Sequence, residues 1–116
     1  MQDHAEIKHI HVPRDLIRHH RLESLSIVTI SGDSMTGERI DDGDIVIFSS
    51  KVKEGDGVYV LSVANTLLCK RVEFDAKGKA IVLISANPAY ELRRYEGADL
   101  EDIRIEGCVV ACCHRM

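Results

Sequence analysis

A mainly β domain is the fold class this sequence predicts, and three observations predict it. Short runs of β-branched and apolar residues recur about every 8 to 12 residues. Clusters of Gly, Asp and Asn separate them, and almost nothing in the chain repeats with the period of an amphipathic helix. Strands this short and this regularly spaced predict folded-over sheets or a partial barrel, with at most one or two short helices. The 116 residues, 45% hydrophobic and 29% charged with two prolines, suffice for one globular domain whose core needs no disulfide or metal staple.

Residues 1–12 mix charge with histidine, and Ile7, Ile10 and Val12 are too sparse to mark a strand. This segment reads as an arm or linker remnant, leading into a domain over residues 13–116. Pro13 suits the first position of a short helix over residues 14–20, with Leu16 and Ile17 as its apolar patch. Residues 25–30, Leu-Ser-Ile-Val-Thr-Ile, then predict a strand that stops at Gly32. Asp41-Asp42-Gly43-Asp44 is a turn, and the nearly all-apolar Ile45-Val46-Ile47-Phe48 predicts a strand covered on both faces.

Glu54-Gly55-Asp56-Gly57 turns the chain again. Residues 58–63 and 66–74 then predict a hairpin that reverses near Ala64-Asn65. Residues 80–85 predict a further strand, which Asn87-Pro88 breaks, and residues 90–95 a short edge strand. The final run, 103–113, is apolar enough for a central or interface strand, with Gly107 as its bulge or bend.

Composition excludes several function classes. A net charge of −4 argues against direct nucleic-acid binding, because phosphate recognition requires a concentrated basic face. Cys69, Cys108, Cys112 and Cys113 contain no C-x-x-C spacing, and adjacent Cys112 and Cys113 would face opposite sides of a strand. They read as reduced, mostly apolar fillers of a cytosolic protein, with a disulfide framework as the distant alternative. His9 with His11, and His19 with His20, read as solvated histidines rather than metal ligands, and Asp41, Asp42 and Asp44 lack the ligand order of a calcium loop. No cofactor or metal is therefore expected. No run approaches the ~18 apolar residues of a membrane span, and Met1-Gln2-Asp3-His4 lacks the order of a signal peptide, so the expected location is cytoplasmic.

The candidate chemistry lies in Ser31-Gly32-Asp33-Ser34-Met35-Thr36, directly after the first predicted strand. Ser34 is the candidate nucleophile. A serine hydroxyl needs a base within hydrogen-bond reach and donors aimed at the developing oxyanion. The backbone around Asp33, Ser34 and Met35, turned by Gly32, is placed to supply those donors. Lys70, 36 positions downstream, is the candidate base. Period-two alternation sets Leu68, Lys70, Val72 and Phe74 on one strand face, and Leu67, Cys69, Arg71 and Glu73 on the other. A lysine acts as a base when burial or neighbouring positive charge destabilises its ammonium, and an apolar stripe is such a setting. Arg71, always protonated, cannot replace it. The bland alternative is a plain turn at Ser34 and a lysine that snorkels to water.

Gly32-Asp33-Ser34-Met35, Asp42-Gly43-Asp44, Val58-Tyr59-Val60, Lys70-Arg71-Val72, Ser85-Ala86-Asn87-Pro88-Ala89-Tyr90 and Ile105-Glu106-Gly107-Cys108-Val109-Val110 occur in that order. Together they resemble the C-terminal domain of the LexA and phage-repressor family of serine peptidases, from about Ile10 to the C-terminus. The resemblance implies a mainly β catalytic domain in which Ser34 attacks a peptide carbonyl and neutral Lys70 takes its proton. It implies autoproteolysis of the linker to an N-terminal helix-turn-helix domain, and homodimerisation. DNA would be bound through that domain, absent from this chain, and RecA on single-stranded DNA would be the co-protease of an SOS response.

Two departures from the family pattern stand out. Thr36-Gly37 replaces a motif that commonly has proline two residues after Ser-Met, which predicts a looser turn after the nucleophile. The family's scissile bond is Ala-Gly or Cys-Gly, whereas the eight glycines here follow Ser, Thr, Asp, Glu or Lys. Cleavage of a bond upstream of this chain, a different bond, or a proteolytically silent dimerisation or sensor domain are the resulting alternatives. A signal peptidase, with a similar Ser/Lys pair, is disfavoured by the lack of a membrane span.

Overall fold

The computed structural model describes the backbone of residues 4–8, and residues 24–75 and 79–114. Among the described residues, eight strands form one antiparallel sheet: β1 His4–Lys8, β2 Leu25–Ser31, β3 Ile45–Ser49, β4 Gly57–Val63, β5 Thr66–Phe74, β6 Ala80–Ile84, β7 Arg93–Glu96 and β8 Ile103–Cys113. There is no α-helix among the described residues; 3-10 turns stand at Thr36–Glu38 and Gly97–Asp102. None is long and apolar enough to cross a membrane. The short helix expected at 14–20 lies outside the described residues. Part of the segment read as an arm is a strand: β1 pairs with β2 from His4 opposite Ser31 to Lys8 opposite Ile27. Edge pairing with a well-formed neighbour satisfies its backbone, which sparse apolar residues alone did not signal.

The strand order is β1-β2-β3-β8-β4-β5-β6-β7. The longest strand, β8, thus joins two sequential meanders as the central strand its apolar run predicts. Its Cys108–Cys113 half pairs with β3, and its Ile103–Cys108 half with β4. The register slips once opposite Ile47 and Phe48, leaving Val110 unpaired, and once opposite Val60 and Leu61, leaving Glu106 unpaired. These bulges bend β8, and the sheet folds so that β1 comes against β5. Gly107 is required at the bend, because a Cβ there would stand 2.3 Å from the Ser49 carbonyl oxygen and 2.9 Å from Phe48.

The β4–β5 hairpin reverses at Ala64 and Asn65, whose φ values of 49° and 70° give the left-handed pair of a type I′ turn. Alternation then sorts the side chains. Val28, Ile30, Val46, Phe48, Val60 and Cys69 meet between the folded halves, with Met35 and Ile40 from the intervening loop. Tyr59, Leu61, Val72 and Leu83 form a second cluster on the opposite face of β4–β6, where Leu68 and Phe74 join them. Ile47 packs with Ile27 on the outer face of β3. β3 is therefore covered on both faces, as its composition required.

Candidate active site

β2 and the turn before β3 hold the Ser34 loop from below. Gly43 N–H donates to the Ile30 carbonyl and Ile30 N–H to that of Asp44, both at 2.8 Å. Gly32, at φ 100°, donates its N–H to Asp42 Oδ1 at 2.9 Å. Gly32 and Gly43 both need positive φ here, which is why this Gly-Asp-Ser and Asp-Gly-Asp pair turns so sharply. Ser34 follows, only 2% exposed, and Met35 anchors the loop in the core at 2%. The 3-10 turn Thr36–Glu38 closes with Arg39 in the left-handed region at φ 59°, its N–H donating to the Thr36 carbonyl at 3.0 Å.

Residues 85–90, after β6, strap this loop from above. Gly37 N–H donates to the Ala86 carbonyl at 2.6 Å, and Ala86 N–H reaches Met35 Sδ at 3.5 Å. Asn87 Nδ2 donates to the Asp33 carbonyl at 2.9 Å, and the Tyr90 hydroxyl to Asp33 Oδ1 at 2.5 Å. The turn after the nucleophile is thus tied down rather than loose. A proline in place of Gly37 would forfeit the Ala86 hydrogen bond, so the departure from the family pattern substitutes one restraint for another.

Lys70 sits at the middle of β5, half-buried, opposite Tyr59 on β4. Its Nζ donates to Ser85 Oγ at 3.0 Å and lies 5.5 Å from the centre of the Tyr90 ring. Neighbouring Arg71 points the other way and pairs with Glu38 at 3.6 Å, an exposed contact of little energetic weight. Lys70, Leu68, Leu83, Ser85, Tyr90 and Tyr95 are among the residues lining a cleft of about 480 Å³.

Lys70, Asp33 and Met35 therefore all make contact with one segment, residues 85–90. Ser85, Asn87 and Tyr90 acquire site positions that side-chain chemistry alone did not suggest. The signal available for them was positional, an Asn-Pro turn directly after an apolar strand. A second cluster was not foreseen as a group: Asp44, at the end of the Asp41–Asp44 turn, converges with Cys112 and His114.

The family model described as Peptidase S24-like matches residues 1–110. A LexA repressor of Ruegeria sp. (strain TM1040) is 32% identical over 108 residues, 88% of this chain and 40% of that protein. The 26 kDa repressor protein of Escherichia phage HK022 is 33% identical over 85 residues, 72% of this chain and 35% of its own. The chain thus spans less than half the length of either relative. A mainly antiparallel sheet with the ordered Ser-Met, Lys-Arg and Asn-Pro segments and this match along nearly its whole length place the chain in the Peptidase S24-like family of serine peptidases.

Proposed function

We propose that this chain is the regulatory peptidase domain of a repressor-like transcription regulator, in which Ser34 and Lys70 hydrolyse a peptide bond of the same polypeptide. The observation that carries the reading is the strap at residues 85–90, which contacts Lys70 through Ser85 and Tyr90 and the Ser34 loop through Ala86, Asn87 and Tyr90. One short segment so restrained couples the placement of both candidate groups, as a two-residue mechanism needs.

The chemistry runs as follows. Lys70, as the free amine, accepts the Ser34 proton while Oγ attacks the carbonyl, and backbone donors at Asp33 to Met35 face the oxyanion. The protonated Lys70 then passes its proton to the leaving amine, and water releases the acyl group. The bond cut belongs to the linker that joins this domain to an N-terminal helix-turn-helix domain. The regulator acts in the cytoplasm as a homodimer, binds DNA through that domain, and is triggered by a RecA filament in an SOS response.

A second reading, a silent dimerisation or sensor domain of the same fold, draws on the burial of Ser34 and on the lack of an Ala-Gly or Cys-Gly bond in this sequence. One experiment separates them. A linker peptide carrying Ala-Gly, joined ahead of Met1, is incubated at rising pH, which increases the free-amine fraction of a lysine base. Release of an N-terminal fragment that accelerates with pH, and is abolished in Ser34→Ala and Lys70→Ala, supports the peptidase. An intact chain at every pH favours the silent domain.

A further inference from the structure

We propose that Asp44, Cys112 and His114 form a binding site for one divalent transition-metal ion of the zinc class, separate from the Ser34 and Lys70 region. The strand register creates it. β8 pairs with β3 so that Val46 stands opposite Cys112 and Ile45 opposite Cys113. Continued by one step, the pairing sets His114 opposite Asp44, on the same face as Cys112 two residues away. The ligand atoms accordingly lie within 4.8 Å of one another.

The three donors suit such an ion in type and in spacing. Thiolate, imidazole and carboxylate together match zinc's borderline-soft preference, and three protein ligands with water in the fourth position is a usual open shell. Bonds of about 2.0–2.3 Å put the ligand atoms of a tetrahedral shell about 3.3–3.6 Å apart. Here Asp44 Oδ2 is 2.8 Å from His114 Nδ1 and 3.8 Å from Cys112 Sγ. Closing on a metal requires the first pair to open and the second to tighten by a few tenths of an ångström. His114 is well placed to make that adjustment, its side chain being 58% exposed at the end of β8 while that of Asp44 is 4% exposed.

The surroundings already orient the carboxylate. Asp41 N–H donates to Asp44 Oδ2 at 2.9 Å, the kind of outer hydrogen bond that fixes a carboxylate ligand. The exposed His114 leaves a route from solvent, and the site's other side is closed by the core around Val46. On binding, the Cys112 thiol loses its proton to solvent, a metal–sulfur bond forms, and nothing is oxidised or reduced. The bound ion would clasp the end of β8 to the Asp41–Asp44 turn, whose Asp42 and Gly43 hold Gly32 and Ile30 just before Ser34.

The test is a titration of the reduced, chelator-treated 116-residue chain with Co²⁺, followed by displacement with Zn²⁺. One equivalent of Co²⁺ should bind with a near-ultraviolet thiolate-to-cobalt absorption band, vanish on adding Zn²⁺, and raise the Tm. Cys112→Ser should remove the band, and His114→Ala should weaken binding about 100-fold or more, beyond the range of outer-shell losses. Cys113→Ser, and a chain with His9, His11, His19 and His20 all changed to Gln, should bind as the parent does. No thiolate band at millimolar Co²⁺ overturns the proposal. A band that survives Cys112→Ser, or that depends on Cys113 or on His9, His11, His19 or His20, does so too.

Discussion

Replacing Gly37 by alanine tests the strap that joins the Ser34 loop to residues 85–90. The new Cβ would stand 2.4 Å from the Ala86 carbonyl oxygen and 3.2 Å from its carbon. Ordinary contact requires a displacement of about 1 Å. Both atoms are backbone, so no side chain can swing away. The movement strains the turn by about 1–3 kcal/mol and stretches the 2.6 Å hydrogen bond from Gly37 N–H, worth about 0.5–1.5 kcal/mol more. A loss of about 2–4 kcal/mol is expected from urea unfolding. At about 4 °C per kcal/mol, calorimetry should register a Tm lower by about 8–16 °C. Gly57→Ala is the control, since its Cβ would meet nothing closer than 3.7 Å. In a linker-bearing chain, Gly37→Ala should also slow cleavage at temperatures where the variant remains folded. A variant within about 0.5 kcal/mol of the parent refutes the reasoning, because that is the range of an indifferent surface change.

Other expectations follow from the core and its titrating groups. Gly107→Ala should prevent stable folding, because the Ser49 backbone is 2.3 Å from the added carbon at the bend of β8; soluble expression with a parent-like melting curve would contradict this. Tyr59→Phe removes a hydroxyl shared between the Glu54 and Gly55 carbonyls at 2.8 and 2.6 Å, and should cost about 1 kcal/mol in urea unfolding. Burial and the Asp44 carboxylate push the Cys112 thiol from 9.0 up to about 11 in the metal-free protein. Burial likewise raises Cys108, and burial with the neighbouring Cys108, Asp56 and Glu54 raises Tyr59. Each group favours its neutral form when folded, so the unfolded chain gives up its protons first. Stability should therefore be full below about pH 9 and fall as pH rises toward about 11. Chemical denaturation across that window, repeated on Cys112→Ala, should show a shallower decline in the variant.

The strands were legible because their causes are local. Alternation in residues 66–74 assigned Leu68, Lys70, Val72 and Phe74 to one face, and Val72 and Phe74 indeed join Tyr59 and Leu61 while Cys69 turns to the opposite cluster. The apolar run at 45–48, the reversal at Ala64-Asn65 and the bend at Gly107 are likewise consequences of period, turn conformation and lack of a Cβ. Ser34 and Lys70 emerged as candidates through residue type and order, helped by the resemblance to a known family. β1 did not emerge, since its strand form depends on a partner rather than on its own pattern.

Sequence by itself thus determined a mainly β domain, its strand segments from residue 25 onward, and the two residues proposed to carry the chemistry. Tertiary structure decided what stands beside them. That Ser85 meets Lys70, that Asn87 and Tyr90 hold Asp33, and that Asp44 meets Cys112 and His114 all depend on contacts across 15 to 70 positions of chain. Local periodicity carries no information over such separations. They are set by which strands pair and where the register slips, above all by β8 entering between β3 and β4, and that insertion is a property of the whole sheet.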